Sequence, residues 1–228
     1  MVYHIKVIQK CFNNNIIDLF KRVKFSYCRL KDPFTLLPEW SGLSQILQLT
    51  QDLGYCPIAE GGKLCGNAAL WTEDGLIVSR SGRDSSKFIT DNFTQVVAFD
   101  FNRWEARFRS VTSDAEPTSD TPLHWAALRS LPERYGWKKR PRVSLHGHAL
   151  ETEEMARRLK IPISNTVTEF STPADYHALA SLISENPYPQ NKIFIRKGHG
   201  FFILGKDFKE VIQILKDIPI RLGRAPKK

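Results

Sequence analysis

No apolar run in these 228 residues approaches the roughly 18 that suggest a membrane span, so no membrane partner is expected. No signal-peptide pattern stands at the start of the sequence. Cysteine is scarce: Cys11, Cys28, Cys56 and Cys65 have no C-x-x-C spacing and no counterpart in the second half. That excludes a disulfide framework and reads as reduced thiols of a cytoplasmic protein. There is no internal repeat and no domain-sized linker. Also missing are a helix-turn-helix signature, zinc-finger spacing and an aromatic RNA-binding motif.

What is present is a soluble globular composition, 42% hydrophobic and 25% charged, with a formal net charge of +9. The length suits one sizeable domain. Basic residues gather in Lys138-Lys139-Arg140-Pro141-Arg142, in the tail from Arg221 to Lys228 and in the first 31 residues. Such an excess serves nucleic acid, steers phosphorylated or carboxylated small substrates, or keeps a protein soluble. Without a nucleic-acid motif, the expected partner is an anionic small molecule and not nucleic acid.

Residues 1–36 read as an N-terminal extension of unknown role, with apolar residues at roughly helical spacing from Ile5 to Lys24 and no assigned chemistry. From Trp40 the stripe Leu43, Ile46, Leu47, Leu53 predicts a helix ending at Gly54. Gly66 to Trp71, the turn signal Asp74-Gly75 and Leu76-Ile77-Val78 predict a hairpin. Two further strands follow at Phe93–Phe101 and Trp104–Val111. Glu116-Pro117-Thr118-Ser119-Asp120-Thr121-Pro122 signals a helix start, with Leu123, Ala127, Leu128 and Leu131 facing inward. Its free N–H groups suit a phosphate or carboxylate. Helices are then expected at Glu151–Lys160 and from Ser171-Thr172-Pro173, strands at Lys192–Arg196 and Phe201–Leu204, and a last helix from Asp207 to Ile218. The remainder, 219–228, is a basic tail. One α/β domain accounts for the pattern.

Arg142 to Leu150 reads as a strand holding His146-Gly147-His148. Alternate strand residues share a face, which places Ser144, His146, His148 and Leu150 together. Two imidazoles spaced this way make half of a metal site, and equally describe two strand histidines with ordinary hydrogen bonds. His199, between Gly198 and Gly200, offers a third ring. Three neutral imidazoles suit zinc or another divalent metal with positions left open, the arrangement of a catalytic site. Asp120 stands ready as an acid/base or displaceable ligand, or simply as a helix N-terminal carboxylate. His124, one helical turn after Asp120, is expected either to support the site from behind or to pack its helix, and His177 to be an exposed helix residue.

The order of these motifs resembles the class II aldolase/adducin family over about residues 40–218. Gly66-Asn67, Ser81-Gly82, Glu116-Pro117-Thr118-Ser119-Asp120, His146-Gly147-His148 and Gly198-His199-Gly200 carry the resemblance. It implies a class II aldolase/adducin-like domain at 37–218, with a layered α/β/α fold around a central, mainly antiparallel sheet. It assigns metal ligation to His146, His148 and His199, acid/base work to Asp120, and a phosphate cradle to Asn67, Ser81, Gly82, Thr118 and Ser119. A homotetramer comes with it. The implied activity is zinc-dependent C–C cleavage of a phosphorylated or carboxylated hydroxy-carbonyl compound through a stabilised enediolate. Alternatives on the same fold are a sugar-phosphate epimerase or dehydratase, and a non-catalytic adducin-like interaction protein. The sequence departs from the family in having Asp120 where its aldolases tend to have Glu. No tyrosine follows Tyr188, where sugar-phosphate members use a C-terminal one, and Arg80 introduces a cation into the Ser79–Gly82 loop.

Overall fold

The structure is a computed structural model that describes residues 25–32, 34, 40–58, 63–83 and 89–223. Eight strands form one sheet in the order β1-β5-β4-β3-β2-β6-β8-β7. They are β1 (Ser26–Arg29), β2 (Asn67–Thr72), β3 (Gly75–Ser79), β4 (Phe93–Asp100), β5 (Glu105–Ser110), β6 (Val143–Gly147), β7 (Ile193–Arg196) and β8 (Gly200–Gly205). Only β1 and β5 pair in parallel; the other neighbours are antiparallel. The helices are α1 (Trp40–Asp52), α2 (121–134), α3 (Glu153–Leu159), α4 (Pro173–Glu185) and α5 (Phe208–Arg221). No described helix is long and apolar enough to cross a membrane.

The alternation of inward residues explains the layering. Leu145 and Ile203 meet Leu43, Ile46 and Leu47 of α1, Leu159 of α3, and Val211, Leu215 and Ile218 of α5 on one face. On the other, Phe194, Phe202 and Leu204 meet Leu123, Ala127 and Leu131 of α2 and Leu179 and Ile183 of α4. The expected α/β/α layers around a mainly antiparallel sheet are therefore present. Helix starts follow their caps: the Thr152, Thr172 and Asp207 side chains accept the N–H of Met155, Asp175 and Glu210. Each such cap contributes about 1 kcal/mol.

The structure departs from the sequence reading in three places and adds a detail within α2. The helical spacing of residues 5–24 lies outside the described residues, but 26–29, inside the supposed extension, form edge strand β1. Its Arg29 donates to the carbonyls of Thr112, Ser113 and Ala115, and Tyr27 to Glu116. This segment thus holds the loop that leads into Asp120. In α2, Pro132 has no N–H for an α-helical bond; Leu131 N–H reaches back five residues to Ala126, making Ala126–Ser130 a π segment. Helix α5 passes through Pro219 to Arg221, since Ile218 and Leu222 on either side of it stay in the core. Finally, β6 ends at Gly147. His148 N–H leaves the sheet to bond the Tyr55 carbonyl at 2.8 Å, and Leu150 packs with Leu145, not on the His146 face.

Candidate metal centre

Antiparallel pairing gathers the end of β3, the start of β2, the ends of β6 and β7 and the start of β8 at one edge of the sheet. Asn67 lies opposite His146, and His146 opposite Phe202. Gly200 follows His199 at φ +152, and a Cβ there would stand 2.1 Å from the Gly147 carbonyl oxygen. Only glycine lets the two histidine-bearing segments approach this closely.

His146 is fully buried, and its Nδ1 lies 2.9 Å from the Phe201 carbonyl. A carbonyl can only accept, so the proton sits on Nδ1 and Nε2 keeps its lone pair. That Nε2 has no hydrogen-bond partner among the described residues. An unmet buried polar atom costs about 1–3 kcal/mol. His148 and His199 supply the missing company: ring centroids lie 4.6 Å apart for His146–His148 and 5.0 Å for the other two pairs. One ligand atom from each ring falls within 4.8 Å of the others. Burial pushes all three imidazoles down in pKa. Asp120 opposes this, while Arg196 reinforces it, and His199 falls to about 4. Three neutral nitrogens, one of them buried and bare, fit a divalent ion of the zinc type.

Asp120 precedes α2 but does not cap it with its side chain. Its carboxylate turns to the site instead. Oδ2 accepts from Asn67 Nδ2 at 2.7 Å and Oδ1 from Arg196 Nη1 at 3.1 Å, with Oδ2 3.7 Å from His146 Nε2. Burial alone would raise this carboxyl, but the Arg196 guanidinium, helped by the Asn67 amide, outweighs it and holds it ionised, well below the carboxylate range. Beyond Asn67 the chain of bonds continues. His124 Nε2 lies 2.6 Å from Asn67 Oδ1, and Nδ1 lies 2.7 Å from Ser144 Oγ. With its amide nitrogen on Asp120, Asn67 presents Oδ1 as acceptor, so His124 donates from Nε2 and Ser144 donates to Nδ1. Arg196 Nη2 in turn pairs with Asp175 Oδ2 at 2.5 Å.

A cavity of about 220 Å³ opens beside His148, His199 and Asp120. Asn67, Ser81, Gly82, Thr118 and Ser119 line it, so every residue of the expected cradle comes to one place. Thr118 is buried, while Ser81 and Ser119 are half-buried. The Asn67 amide faces Asp120 and His124. Arg80 also lines the cavity, with its guanidinium engaged by the Asp114 carboxylate and the carbonyls of Asp91 and Asp114. Reasoning from motifs missed Lys63, Leu64, Cys65 and Phe170 in the same wall, because no short pattern joins their segments. It also missed Arg196 and Asp175. The basic run at 138–142 has no part in this cavity. Cys56 Sγ lies against Gly66 of this lining, its thiol pushed up to about 12 by burial, and Cys28, Cys56 and Cys65 form no disulfide among the described residues.

No protein-family model and no curated protein matches the chain. Solved structures do. L-fuculose 1-phosphate aldolase superposes with a TM-score of 0.54 at 11% identity, covering 83% of this chain and 85% of that one. A sugar-phosphate aldolase from Thermotoga maritima gives 0.52 at 16%, covering 82% and 97%. The N-terminal class II aldolase domain of a conserved protein from Thermoplasma acidophilum gives 0.50 at 15%, covering 85% and 96%. The chain has the class II aldolase fold.

Proposed function

We propose that this chain is a zinc-dependent lyase of the class II aldolase type. Its substrate would be a phosphorylated or carboxylated hydroxy-carbonyl compound of the sugar-phosphate kind, cleaved at a C–C bond. The observation that carries the reading is the bare, buried Nε2 of His146 facing two further neutral imidazoles beside a cavity that Asp120, Ser81 and Ser119 line. His146, His148 and His199 would hold the ion, and the Phe201 carbonyl fixes the tautomer His146 needs. When bound there, zinc or another divalent metal supplies Lewis acidity toward a carbonyl oxygen next to the bond that breaks.

The chain's own residues do the rest. Asp120, kept ionised, begins as a proton acceptor at Oδ2 and returns the proton afterwards. Being 3% exposed, it meets little competing water. The Ser81 and Ser119 hydroxyls, the buried Thr118 and the backbone at Gly82 would receive the anionic end of the substrate, with Asn67 as wall and support. The same proton transfer at Asp120 serves epimerisation or dehydration on the same site. A homotetramer and a cytoplasmic location belong to this reading.

The test is to load purified protein with zinc and follow a panel of ketose phosphates and hydroxy acids by NMR for C–C cleavage. Cleavage that a chelator removes and zinc restores supports the lyase. Conversion without cleavage supports the epimerase or dehydratase. A protein that binds no zinc and gains no thermal stability from it would instead be an interaction module with the same fold.

A further inference from the structure

Arg196 closes β7 with its side chain 3% exposed. Its two terminal nitrogens go to two different buried carboxylates, Nη1 to Asp120 at 3.1 Å and Nη2 to Asp175 at 2.5 Å. Asp175 is itself rooted at the start of α4. Its Oδ2 accepts from Ser171 N–H at 3.1 Å and its Oδ1 from the Thr168 hydroxyl at 3.1 Å. The whole chain Asp175–Arg196–Asp120–Asn67–His124–Ser144 is buried. Desolvating such charges is costly, and hydrophobic replacements of buried ion pairs are often as stable or more so. Stability alone is thus a poor account of this network.

Resting on the metal-site reading above, we infer that Arg196, anchored by Asp175, is a positioning residue that keeps the Asp120 carboxylate beside the three imidazoles without letting it become a fourth ligand. Both Asp120 oxygens are restrained, Oδ1 by Arg196 and Oδ2 by Asn67. Oδ2 stands 3.7 Å from His146 Nε2. The set of mutually close ligand atoms comprises the three histidines and not Asp120. A flat guanidinium can bridge two carboxylates with a fixed fork, which a lysine ammonium cannot reproduce. A carboxylate held off the metal retains a lone pair for a proton, which is what the proposed role of Asp120 needs.

Cobalt(II) titration of the full chain tests this without a substrate, reading affinity, visible absorption bands and melting temperature. Asp120→Asn should leave the bands of the wild type unchanged and weaken binding by less than about tenfold, as loss of a neighbouring charge does. Arg196→Met should tighten cobalt binding by about tenfold and change the bands as the released carboxylate joins the ion. Adding Asp120→Asn to that variant should abolish both changes. If Arg196→Met does not fold, Arg196→Lys, which keeps the charge but cannot bridge both carboxylates, should show the same changes in smaller measure. A lowered melting temperature with unaltered affinity and bands, in Arg196→Met or in its lysine substitute, overturns the inference. So does a band change in Asp120→Asn alone, which would make Asp120 a ligand already. Wild type that binds no cobalt defeats the metal-site reading itself, and is told apart by that.

Discussion

His124 and His146 are both fully buried, and both are held neutral chiefly by burial. They lie on either side of Asn67, which bonds the His124 ring through its side chain and sits opposite His146 in the sheet. Around His124 both ring nitrogens are engaged, one by Ser144 and one by Asn67. Around His146 one nitrogen is engaged by the Phe201 carbonyl, and the other faces two imidazoles with no hydrogen-bond partner among the described residues. Burial and a depressed pKa therefore do not mark a ligand. The difference lies in which lone pair is left over, and toward what it points.

The sharpest way to break this comparison is to delete each ring. His146→Ala should lower zinc affinity by more than about 100-fold, beyond what loss of a supporting partner does. It should also remove the zinc-induced gain in unfolding free energy, about 2.7 kcal/mol for wild type at a hundred times Kd. Calorimetric titration and melting curves check both, and a variant still stabilised by zinc would exclude His146 as a ligand. His124→Ala should do the opposite. It strands Asn67 Oδ1 and Ser144 Oγ, so metal-free stability should fall by about 2–3 kcal/mol in urea denaturation, while one zinc per chain is retained.

A smaller effect follows from the protonation of His124. Its folded pKa is lowered by burial to about 4 from the ordinary 6.5 of a histidine, so the unfolded chain takes up the proton first. The stability this residue contributes is present above pH 6.5 and is lost as pH falls from there toward 4. The slope from one such group is at most about 1.4 kcal/mol per pH unit. His199, also at about 4, adds a similar slope in metal-free protein. Urea midpoints measured across that range should fall less steeply in His124→Ala than in wild type, and an unchanged slope would show that His124 is already charged in the fold.

How far this was legible follows from the range of each signal. The pair His146/His148 and the glycines around His199 are local patterns, and strand periodicity was enough to bring out His146 and Ser144 on one face. Periodicity failed at His148 because a long-range bond to Tyr55 ends the strand there. The layered fold could be read because its buried stripes repeat at strand and helix spacing. Edge strand β1 could not: four residues pairing with β5 some 80 positions on leave almost no local pattern. Arg196 was hidden for the same reason. It meets Asp120 across 76 residues and Asp175 across 21, and in sequence it is only a basic residue at a strand end. His124 looked like either packing or support, and only its partners decide that it is support.

The finest cut is at Ser144, which shares the inner face of β6 with His146. Its hydroxyl, 2.7 Å from His124 Nδ1, is what separates a satisfied imidazole from a bare one. Ser144→Ala leaves His124 Nδ1 as an unmet acceptor, as Nε2 of His146 is, yet with no second or third imidazole facing it. The expected loss is about 1 kcal/mol of metal-free stability, smaller than for His124→Ala because one acceptor is stranded instead of two side-chain groups. Zinc stoichiometry should stay at one per chain, since a lone nitrogen without further donors holds no ion at the concentrations that fill a three-histidine site. A second zinc in Ser144→Ala would mean that a bare lone pair by itself suffices, and the grouping of His146, His148 and His199 would lose its meaning. A loss as large as that of His124→Ala would place the support of Asn67 in Ser144 instead of in the ring between them.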